Sequence, residues 1–98
     1  KHIGYHASKV LLELFTREMA ISFAPHIAVN AVAPGLILPP EGKDEAYLDS
    51  LKHTVPLYKY GSTTDVTNAI LYLLGSNFVT GQIIYMDGGR HLNAGQPR

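Results

Sequence analysis

The sequence predicts an α/β protein, more narrowly the C-terminal half of a doubly wound parallel-sheet domain. The elements follow in the order helix, strand, long loop, helix, strand, and this alternation is typical of a parallel sheet. Residues 27–33 form a nearly continuous apolar run, as expected of a strand covered on both faces. Because two strands alone do not make a stable parallel sheet, we expect further strands outside these 98 residues.

Composition narrows the class of protein. The 98 residues suffice for one small domain, and 46% of them are hydrophobic against 16% charged. This low share of charged residues predicts that part of the surface is buried against something outside these residues. Net charge is zero, the basic residues are dispersed, and no apolar run reaches about 18 residues, so neither a nucleic-acid surface nor a membrane span is predicted. The absence of cysteine excludes disulfides and thiolate metal sites and fits a cytoplasmic protein.

The first predicted element is a helix over residues 5–23, a stretch rich in helix formers without Gly or Pro. Its apolar residues fill more than one stripe, so we expect burial on two sides. One side would meet its own sheet, and the other a further layer or another subunit. Pro25 ends the helix, and the strand over residues 27–33 then runs to Pro34-Gly35.

Residues 36–61 form a predicted lid. The segment is long, contains Pro39-Pro40 and includes a predicted short helix over residues 44–53. Connections of this length in compact domains are usually functional, and a lid closes over a ligand and excludes water.

A second helix follows the lid. Ser62 or Thr63 is its predicted N-cap, with Asp65 in the first turn, and Gly75 its predicted C-cap. Its predicted buried stripe consists of Val66, Ala69, Ile70, Leu73 and Leu74.

The last predicted strand covers residues 82–86. The turn Asp87-Gly88-Gly89 leaves it, and the polar tail over residues 93–98 is expected to fray.

The chemistry most readily inferred lies at the start of the chain. Tyr5 and Lys9 stand four residues apart, which on a helix places both on one face. A phenol beside a cation is easier to ionise, so the pair can act as an acid/base although the reference pKa of tyrosine is about 10. Taken alone the spacing is weak, because chance produces roughly 0.3 such pairs in a chain of this composition.

Four segments together carry a resemblance. They are Tyr5-His6-Ala7-Ser8-Lys9, residues 27–35, Val55-Pro56-Leu57, and residues 80–89 with the closing Asp87-Gly88-Gly89. In this order and spacing the chain resembles the C-terminal part of a short-chain dehydrogenase/reductase, over about residues 4–91. The resemblance implies a Rossmann-type fold in which residues 1–98 are the C-terminal portion of one domain. The N-terminal dinucleotide-binding half, with its glycine-rich loop and the usual catalytic serine, would be carried elsewhere.

The resemblance also implies roles for residues. The family uses NADPH or NADH, of which we expect NADPH. Tyr5 would donate a proton to a C=N or C=O group as hydride arrives, and Lys9 would bind the nicotinamide ribose hydroxyls. The expected cofactor-binding residues are Tyr5, Lys9, Pro34, Gly35, Leu36 and Ile37.

Gly35 would allow backbone to approach the nicotinamide closely, because glycine lacks a Cβ. In the lid, Leu38, Pro39 and Tyr58 would face the substrate. The family often has a threonine where this chain has Pro39, and that hydroxyl contact with the cofactor is missing.

Within the family, the segments Pro34-Gly35-Leu36 and Val55-Pro56-Leu57-Tyr58 are similar to pteridine reductases. Other reductases, such as 3-oxoacyl-carrier-protein reductases, tend to have Pro-Leu-Gly-Arg in place of Pro56-Leu57-Tyr58-Lys59. A generic carbonyl reductase and a non-catalytic binding or assembly module are the alternatives. The expected partners are a small-molecule substrate, a companion chain with the N-terminal half, and further copies in a homodimer or homotetramer.

Four other features of the sequence bear on function. His2 and His6 have a zinc-ligand spacing, but no third ligand accompanies them, so no metal site is predicted. Asn30, polar within an apolar strand, is expected to bridge neighbouring backbone. Tyr58 and Tyr60 would either line a flat aromatic substrate or pack within the lid. Asp87-Gly88-Gly89 is either a simple turn or, as the resemblance implies, part of a subunit contact and cofactor rim.

Overall fold

The computed structural model describes residues 3–93, with backbone alone for Ile3, Tyr5, His6 and Asn93. The helices are α1 (Ile3–Phe23), α2 (Glu45–Ser50) and α3 (Thr63–Gly75), with short 3-10 turns at Lys52–Thr54 and Arg90–Asn93, and the strands are β1 (Ala31–Pro34) and β2 (Ile83–Met86). The predicted order of helix, strand, long loop, helix, strand is confirmed. His2 and the expected frayed tail beyond Asn93 lie outside the described residues.

The two strands pair in parallel, as predicted. Ala31 lies opposite Ile83 and Pro34 opposite Met86, so the strands end at the same edge of the sheet. Ligands of open α/β sheets bind at this carboxyl edge. The architecture is a fragment of a doubly wound fold, with α1, α3 and the lid arranged around the pair.

The strand predicted over residues 27–33 is shorter and begins later, at Ala31. The reason lies in Asn30, whose Nδ2 donates to the Val79 carbonyl at 3.1 Å and whose Oδ1 accepts from the Gln82 N–H at 3.0 Å. These two side-chain hydrogen bonds take the place of the backbone hydrogen bonds that would otherwise join the chain segments just before the strands pair. The predicted bridging role of Asn30 is therefore confirmed.

Helix α1 is buried along one narrow face. Thr16 and Ala20 are 4% and 5% exposed, and Lys9 and Glu13 are half-buried in the turns before them. No described element covers the other faces, so the second buried side, expected against another layer or another subunit, stays a prediction. The apolar residues left exposed there include Val10, Leu11, Leu14, Phe15, Met19 and Ile21.

The lid is organised by α2. Asp44 caps this helix by accepting from the Ala46 N–H at 3.1 Å, and Leu48 is 2% exposed. The predicted helix over residues 44–53 is divided, because the α-helix ends at Ser50 and a 3-10 turn follows. Lys52 in that turn pairs with Asp49 at 2.8 Å, and this hydrogen bond raises the pKa of Lys52.

Helix α3 begins with a capping box, as the sequence predicts. The Ser62 hydroxyl accepts from the Asp65 N–H, and the Asp65 carboxylate accepts from the Ser62 N–H at 2.8 Å. The predicted C-cap is off by one residue: Gly75 is the last helical residue, and Ser76 caps the helix.

The predicted buried stripe of α3 is partly wrong. Val66, Ala69 and Leu73 are half-buried, but Ile70 and Leu74 are 44% and 77% exposed. The helix rests on the two-stranded sheet along one line of residues, so the apolar stripe is wider than the area that the sheet covers.

Throughout residues 3–93, no helix is long and apolar enough to cross a membrane.

Candidate active site

The Tyr5/Lys9 pair lies in the opening turns of α1. The helix is unbroken from Ile3 to Phe23, so the backbones of the two residues share a face one turn apart. The side chain of Lys9 is half-buried, whereas that of Tyr5 lies outside the described part of the chain. The helical backbone that the predicted pair requires is present.

Lys9 lies against β2. Its Nζ is 4.9 Å from the centroid of the Tyr85 ring, within the range of a cation–π contact. The Tyr85 hydroxyl donates to the carboxylate of Glu13, which follows Lys9 by one turn on α1. No local signal in the sequence marks Tyr85, because only the tertiary fold brings β2 under this helix.

Pro34 ends β1, and Gly35 meets the turn that follows β2. The Gly35 N–H donates to the Met86 carbonyl at 3.1 Å. A Cβ at Gly35 would lie 2.5 Å from the Asp87 Cβ and 2.8 Å from its Cα. The family resemblance implies a close approach of nicotinamide at this glycine, but within the chain it is Asp87 that requires it.

The loop leaving Gly35 offers backbone polar groups. The Leu36 carbonyl accepts from the Gly61 N–H at 2.9 Å and so joins the two ends of the lid. Among the described residues, the N–H of Leu36 and both backbone polar groups of Ile37 have no hydrogen-bond partner, although both residues are half-buried. Backbone groups in such positions are normally paired, so this loop can accept a ligand.

A cavity of about 740 Å³ opens beside the same loop, at the carboxyl ends of both strands. Its volume and largely apolar lining are typical of small-molecule sites. Polar groups reach it from Lys59, Asp65 and Asp87. The apolar lining includes Leu36, Ile37, Leu57, Ile84, Met86 and Leu92.

Of the residues expected at the substrate from the segment over residues 36–61, only Tyr60 lines this cavity. Leu38 and Tyr58 are 69% and 66% exposed, and neither they nor Pro39 line it. Lys59 and Tyr60 do. Tyr60 also lies under Lys52, whose Nζ is 5.4 Å from the ring centroid. The structure therefore brings Leu36 and Ile37 to the cavity and leaves Leu38, Pro39 and Tyr58 outside its lining.

The glycine turn after β2 is pressed against the lid. Gly88 and Gly89 have φ angles of +64° and +92°, a backbone conformation that residues with a side chain rarely adopt. A Cβ at Gly88 would lie 2.5 Å from Val55 Cγ1, and one at Gly89 would lie 3.2 Å from Pro56 Cγ. The Leu57 N–H donates to the Gly88 carbonyl at 3.0 Å. Two of the segments that carry the resemblance are thus in direct contact.

Asp87 organises the chain beyond β2. Its carboxylate accepts from the backbone N–H groups of Gly89 and His91 at 3.0 and 2.9 Å, and His91 Nδ1 lies 3.0 Å from Oδ1. Burial by itself raises the pKa of this carboxyl, but the hydrogen bonds from His91 and Gly89 outweigh it and hold the pKa below 3.8. The i, i+4 spacing of Asp87 and His91 is a signal in the sequence from which this contact could have been predicted.

Comparison with known proteins assigns the family. A sequence model described as enoyl-(acyl carrier protein) reductase matches residues 1–91. The structure of a short-chain type dehydrogenase/reductase from Mycobacterium marinum aligns with a TM-score of 0.72 at 34% identity, over 88% of this chain and 35% of that one. The chain belongs to the short-chain dehydrogenase/reductase family.

Among members of this family, the chain is similar to pterin and folate reductases. It is 45% identical to dihydromonapterin reductase of Citrobacter koseri, over 94% of the chain and 38% of that protein. FolM alternative dihydrofolate reductase 1 from Brucella canis, solved in complex with NADP, aligns with a TM-score of 0.79 at 35% identity, over 97% of this chain and 37% of that one. The chain thus spans little more than a third of these relatives' length.

The described residues contain no group of three or more His, Cys, Asp or Glu side chains that could hold a metal ion. The zinc spacing of His2 and His6 falls on residues whose side chains lie outside the description. The chemistry available in residues 3–93 is that of Lys9, the unpaired loop backbone and the cavity.

Proposed function

We propose that the chain is part of an NADPH-dependent reductase that acts on a dihydropterin-like C=N bond. The observation that carries the proposal is the position of Lys9, four residues after Tyr5, above a strand whose end lines a ligand-sized cavity. The similarity to dihydromonapterin reductase and to FolM supports the pterin-like substrate. The same similarity agrees with the resemblance to pteridine reductases in the segments Pro34-Gly35-Leu36 and Val55-Pro56-Leu57-Tyr58.

The roles in the reaction follow from the chemistry of the pair. When bound, NADPH would supply the hydride for the carbon of the C=N bond. Tyr5 donates its phenolic proton to the nitrogen, so that charge does not build up on it. Lys9 holds the nicotinamide ribose hydroxyls, and its positive charge favours the phenolate left after transfer.

The loop after β1 fits the nicotinamide end of the cofactor. A carboxamide has one carbonyl acceptor and an NH₂ donor. The N–H groups of Leu36 and Ile37 and the Ile37 carbonyl, which have no partner among the described residues, are complementary to both. Pro34 and Gly35 bring this backbone to the carboxyl edge of the sheet. NADPH rather than NADH is proposed because FolM from Brucella canis, to which this chain is similar, was solved in complex with NADP.

The cavity fits a flat, polar heterocycle. Its walls are mostly apolar, and Tyr60 offers an aromatic face on the lid side. Asp65 and Lys59 can hydrogen-bond ring nitrogens and exocyclic groups. A small carbonyl substrate is the second candidate, because a positioned tyrosine can protonate a carbonyl oxygen as well as an imine nitrogen.

We further infer that residues 1–98 form the C-terminal portion of one domain, with the lid at about residues 36–61. The relatives' greater length and the sparse core both support this. The N-terminal half would then complete the sheet on a companion chain or a longer polypeptide. The exposed apolar residues of α1 support association into a dimer or tetramer.

The central test is Tyr5→Phe in the complete protein, assayed with NADPH and a dihydropterin. We expect the turnover number to fall by roughly 10²–10⁴-fold, because the general acid is lost. The dissociation constant of NADPH, measured by fluorescence, should change by less than about twofold, because phenylalanine retains the ring. Tyr47→Phe, on α2 in the lid, is the matched control and should retain activity.

The same assay separates the candidates. Rapid reduction of an acetoacetyl ester without dihydropterin turnover would favour the carbonyl reductase. Full activity of Tyr5→Phe with either substrate would mean that Tyr5 is not the acid. NADPH binding without any reduction would favour the non-catalytic module.

A further inference from the structure

The side chain beneath Lys9 is held more firmly than a surface tyrosine. Tyr85 projects from β2, where its backbone lies opposite Ala33. It is one of the groups that Lys9 contacts, at 4.9 Å from Nζ to the ring centroid. A cation above an aromatic ring is attracted to the negative face of the ring, and the attraction restricts where the cation can lie.

The Tyr85 ring is fixed at its hydroxyl and at its face. The hydroxyl donates to the Glu13 carboxylate on α1, which ties the ring to the same helix that carries Lys9. The His91 imidazole stacks on the ring, with centroids 4.1 Å apart and planes inclined by 13°. A ring held at its edge and its face cannot rotate freely beneath the lysine.

His91 is in turn fixed by Asp87. Both its backbone N–H and its Nδ1 bond to the Asp87 carboxylate, a side chain that is only 8% exposed. The Cα and Cβ of Asp87 fill the space beside Gly35. Contacts therefore run without a gap from the loop after β1, through Asp87, His91 and Tyr85, to Lys9.

We propose that Tyr85 is a positioning residue for Lys9, and that Glu13 and His91 hold its ring in place. The inference rests on the proposed function, in which Lys9 binds the ribose hydroxyls and supports Tyr5. Lys9 has a long flexible side chain, and ordering it in one conformation before the cofactor binds reduces the entropy lost on binding. Tyr85 supplies that order, and the same network fixes the cofactor loop relative to the lysine.

The test compares Tyr85→Leu with Tyr85→Phe in the complete protein. The leucine variant loses ring and hydroxyl, so we expect NADPH to bind about 3- to 30-fold more weakly, in line with a partly buried cation–π contact. The basic limb of the pH–rate profile should move upward by roughly 0.5–1 pH unit, because a poorly placed lysine stabilises the phenolate less. The phenylalanine variant keeps ring and stacking and should recover most of both losses. Tyr72→Leu, on the exposed side of α3, is the control and should change neither.

A readout that does not depend on turnover follows the lysine directly. With ¹³C-labelled lysine, the ε-methylene signal of Lys9, assigned through Lys9→Arg, should show a ring-current shift to high field. The shift should vanish in Tyr85→Leu, persist in Tyr85→Phe and weaken in His91→Ala. Melting temperatures would establish that each variant is folded.

These outcomes distinguish the two proposals. If Tyr5→Phe is inactive but Tyr85→Leu keeps the parent's NADPH affinity, pH profile and lysine signal, Tyr85 does not position Lys9 and the reductase assignment stands. If Tyr5→Phe retains activity while the lysine signal and NADPH affinity respond to Tyr85→Leu, the contact is real and the assigned acid is wrong.

Discussion

At the scale of single residues, Tyr58 departs from ordinary backbone geometry. Its φ is +56°, the only positive value for a residue other than glycine among residues 3–93. Side chains are strained there because Cβ crowds the neighbouring carbonyl. The Pro-Leu-Gly-Arg of other reductases has glycine where this chain has Tyr58, and the backbone explains that preference. The Tyr58 ring is 66% exposed, so packing within the chain does not account for it.

Replacing Tyr58 by glycine should therefore stabilise the complete protein slightly. Relief of the left-handed conformation contributes about 1–2 kcal/mol, and the greater freedom of glycine in the unfolded chain offsets about half of it or more. We expect a net gain on the order of 0.5 kcal/mol in the free energy of unfolding in urea. Tyr60→Gly, where φ is negative, should destabilise by about 1 kcal/mol or more. Equal losses in both variants would contradict this account.

At the scale of elements, the turn after β2 (residues 87–89) holds neighbouring parts of the chain together. Asp87 accepts three hydrogen bonds within it, and the glycines that follow receive Val55 and Pro56 of the lid. The turn also abuts Gly35 at the end of β1. A single short segment thus joins the sheet edge, the lid and the cofactor loop.

Asp87→Asn should destabilise the turn after β2 in a pH-dependent way. The folded carboxyl has a lowered pKa, so its ionised form stabilises the fold above pH 3.8 and the contribution is lost as the pH falls below that value. At pH 7 we expect a loss of about 1–2 kcal/mol in the free energy of unfolding. The difference between variant and parent should hold above pH 3.8 and shrink as the pH is lowered below that value.

Urea unfolding at stepped pH provides the measurement. Asp49→Asn is the matched control, since its carboxylate is an exposed partner of Lys52 and should contribute less than about 0.5 kcal/mol. A gap between Asp87→Asn and the parent that stays constant with pH would show that the charge of Asp87 is not what stabilises the turn.

At the scale of the whole molecule, the chain leaves much apolar surface uncovered. Among the described residues the buried ones are Thr16, Ala20, Leu48 and Val55. Large apolar side chains of α1 and α3, and Phe78 after α3, are exposed to solvent. So small a core does not offset the entropy of ordering the chain. The sequence composition anticipated this, through its low share of charged residues.

We therefore predict that the 98-residue chain alone will not unfold cooperatively. It should bind a hydrophobic dye and show no sharp urea transition, whereas the complete protein should show one. Mixing the chain with a polypeptide that carries the preceding half should restore the transition. Light scattering of the complete protein should give a dimer or tetramer; a monomer there, or a sharp transition for the chain alone, would contradict the assignment of these apolar faces.

The sequence predicted the order of elements because it follows from local signals. Helix formers without Gly or Pro define α1, Ser62 and Asp65 form the capping box of α3, and Asp87-Gly88-Gly89 forms the turn after β2. Each of these depends on residues close in the chain. The family, too, was readable from four local segments in order.

Strand limits and buried faces were predicted less well. The β1 strand begins at Ala31 because the side chain of Asn30 takes the place of a ladder bond, and a contact between residues about fifty positions apart is not a local signal. The same holds for Ile70 and Leu74 of α3, whose stripe predicted burial that the narrow sheet does not provide.

By itself, the sequence determined that Tyr5 and Lys9 share a helix face, because helical periodicity needs nothing beyond neighbouring residues. Only the tertiary structure decided what lies beneath Lys9. Parallel pairing of β1 with β2 brings Tyr85 under α1, and the turn at Asp87 brings His91 onto the Tyr85 ring. The same pairing assigns Gly35 to a contact with Asp87. The contacts of Lys9 with Tyr85 and of Gly35 with Asp87 join residues far apart in the chain, and local propensities carry no information about such contacts.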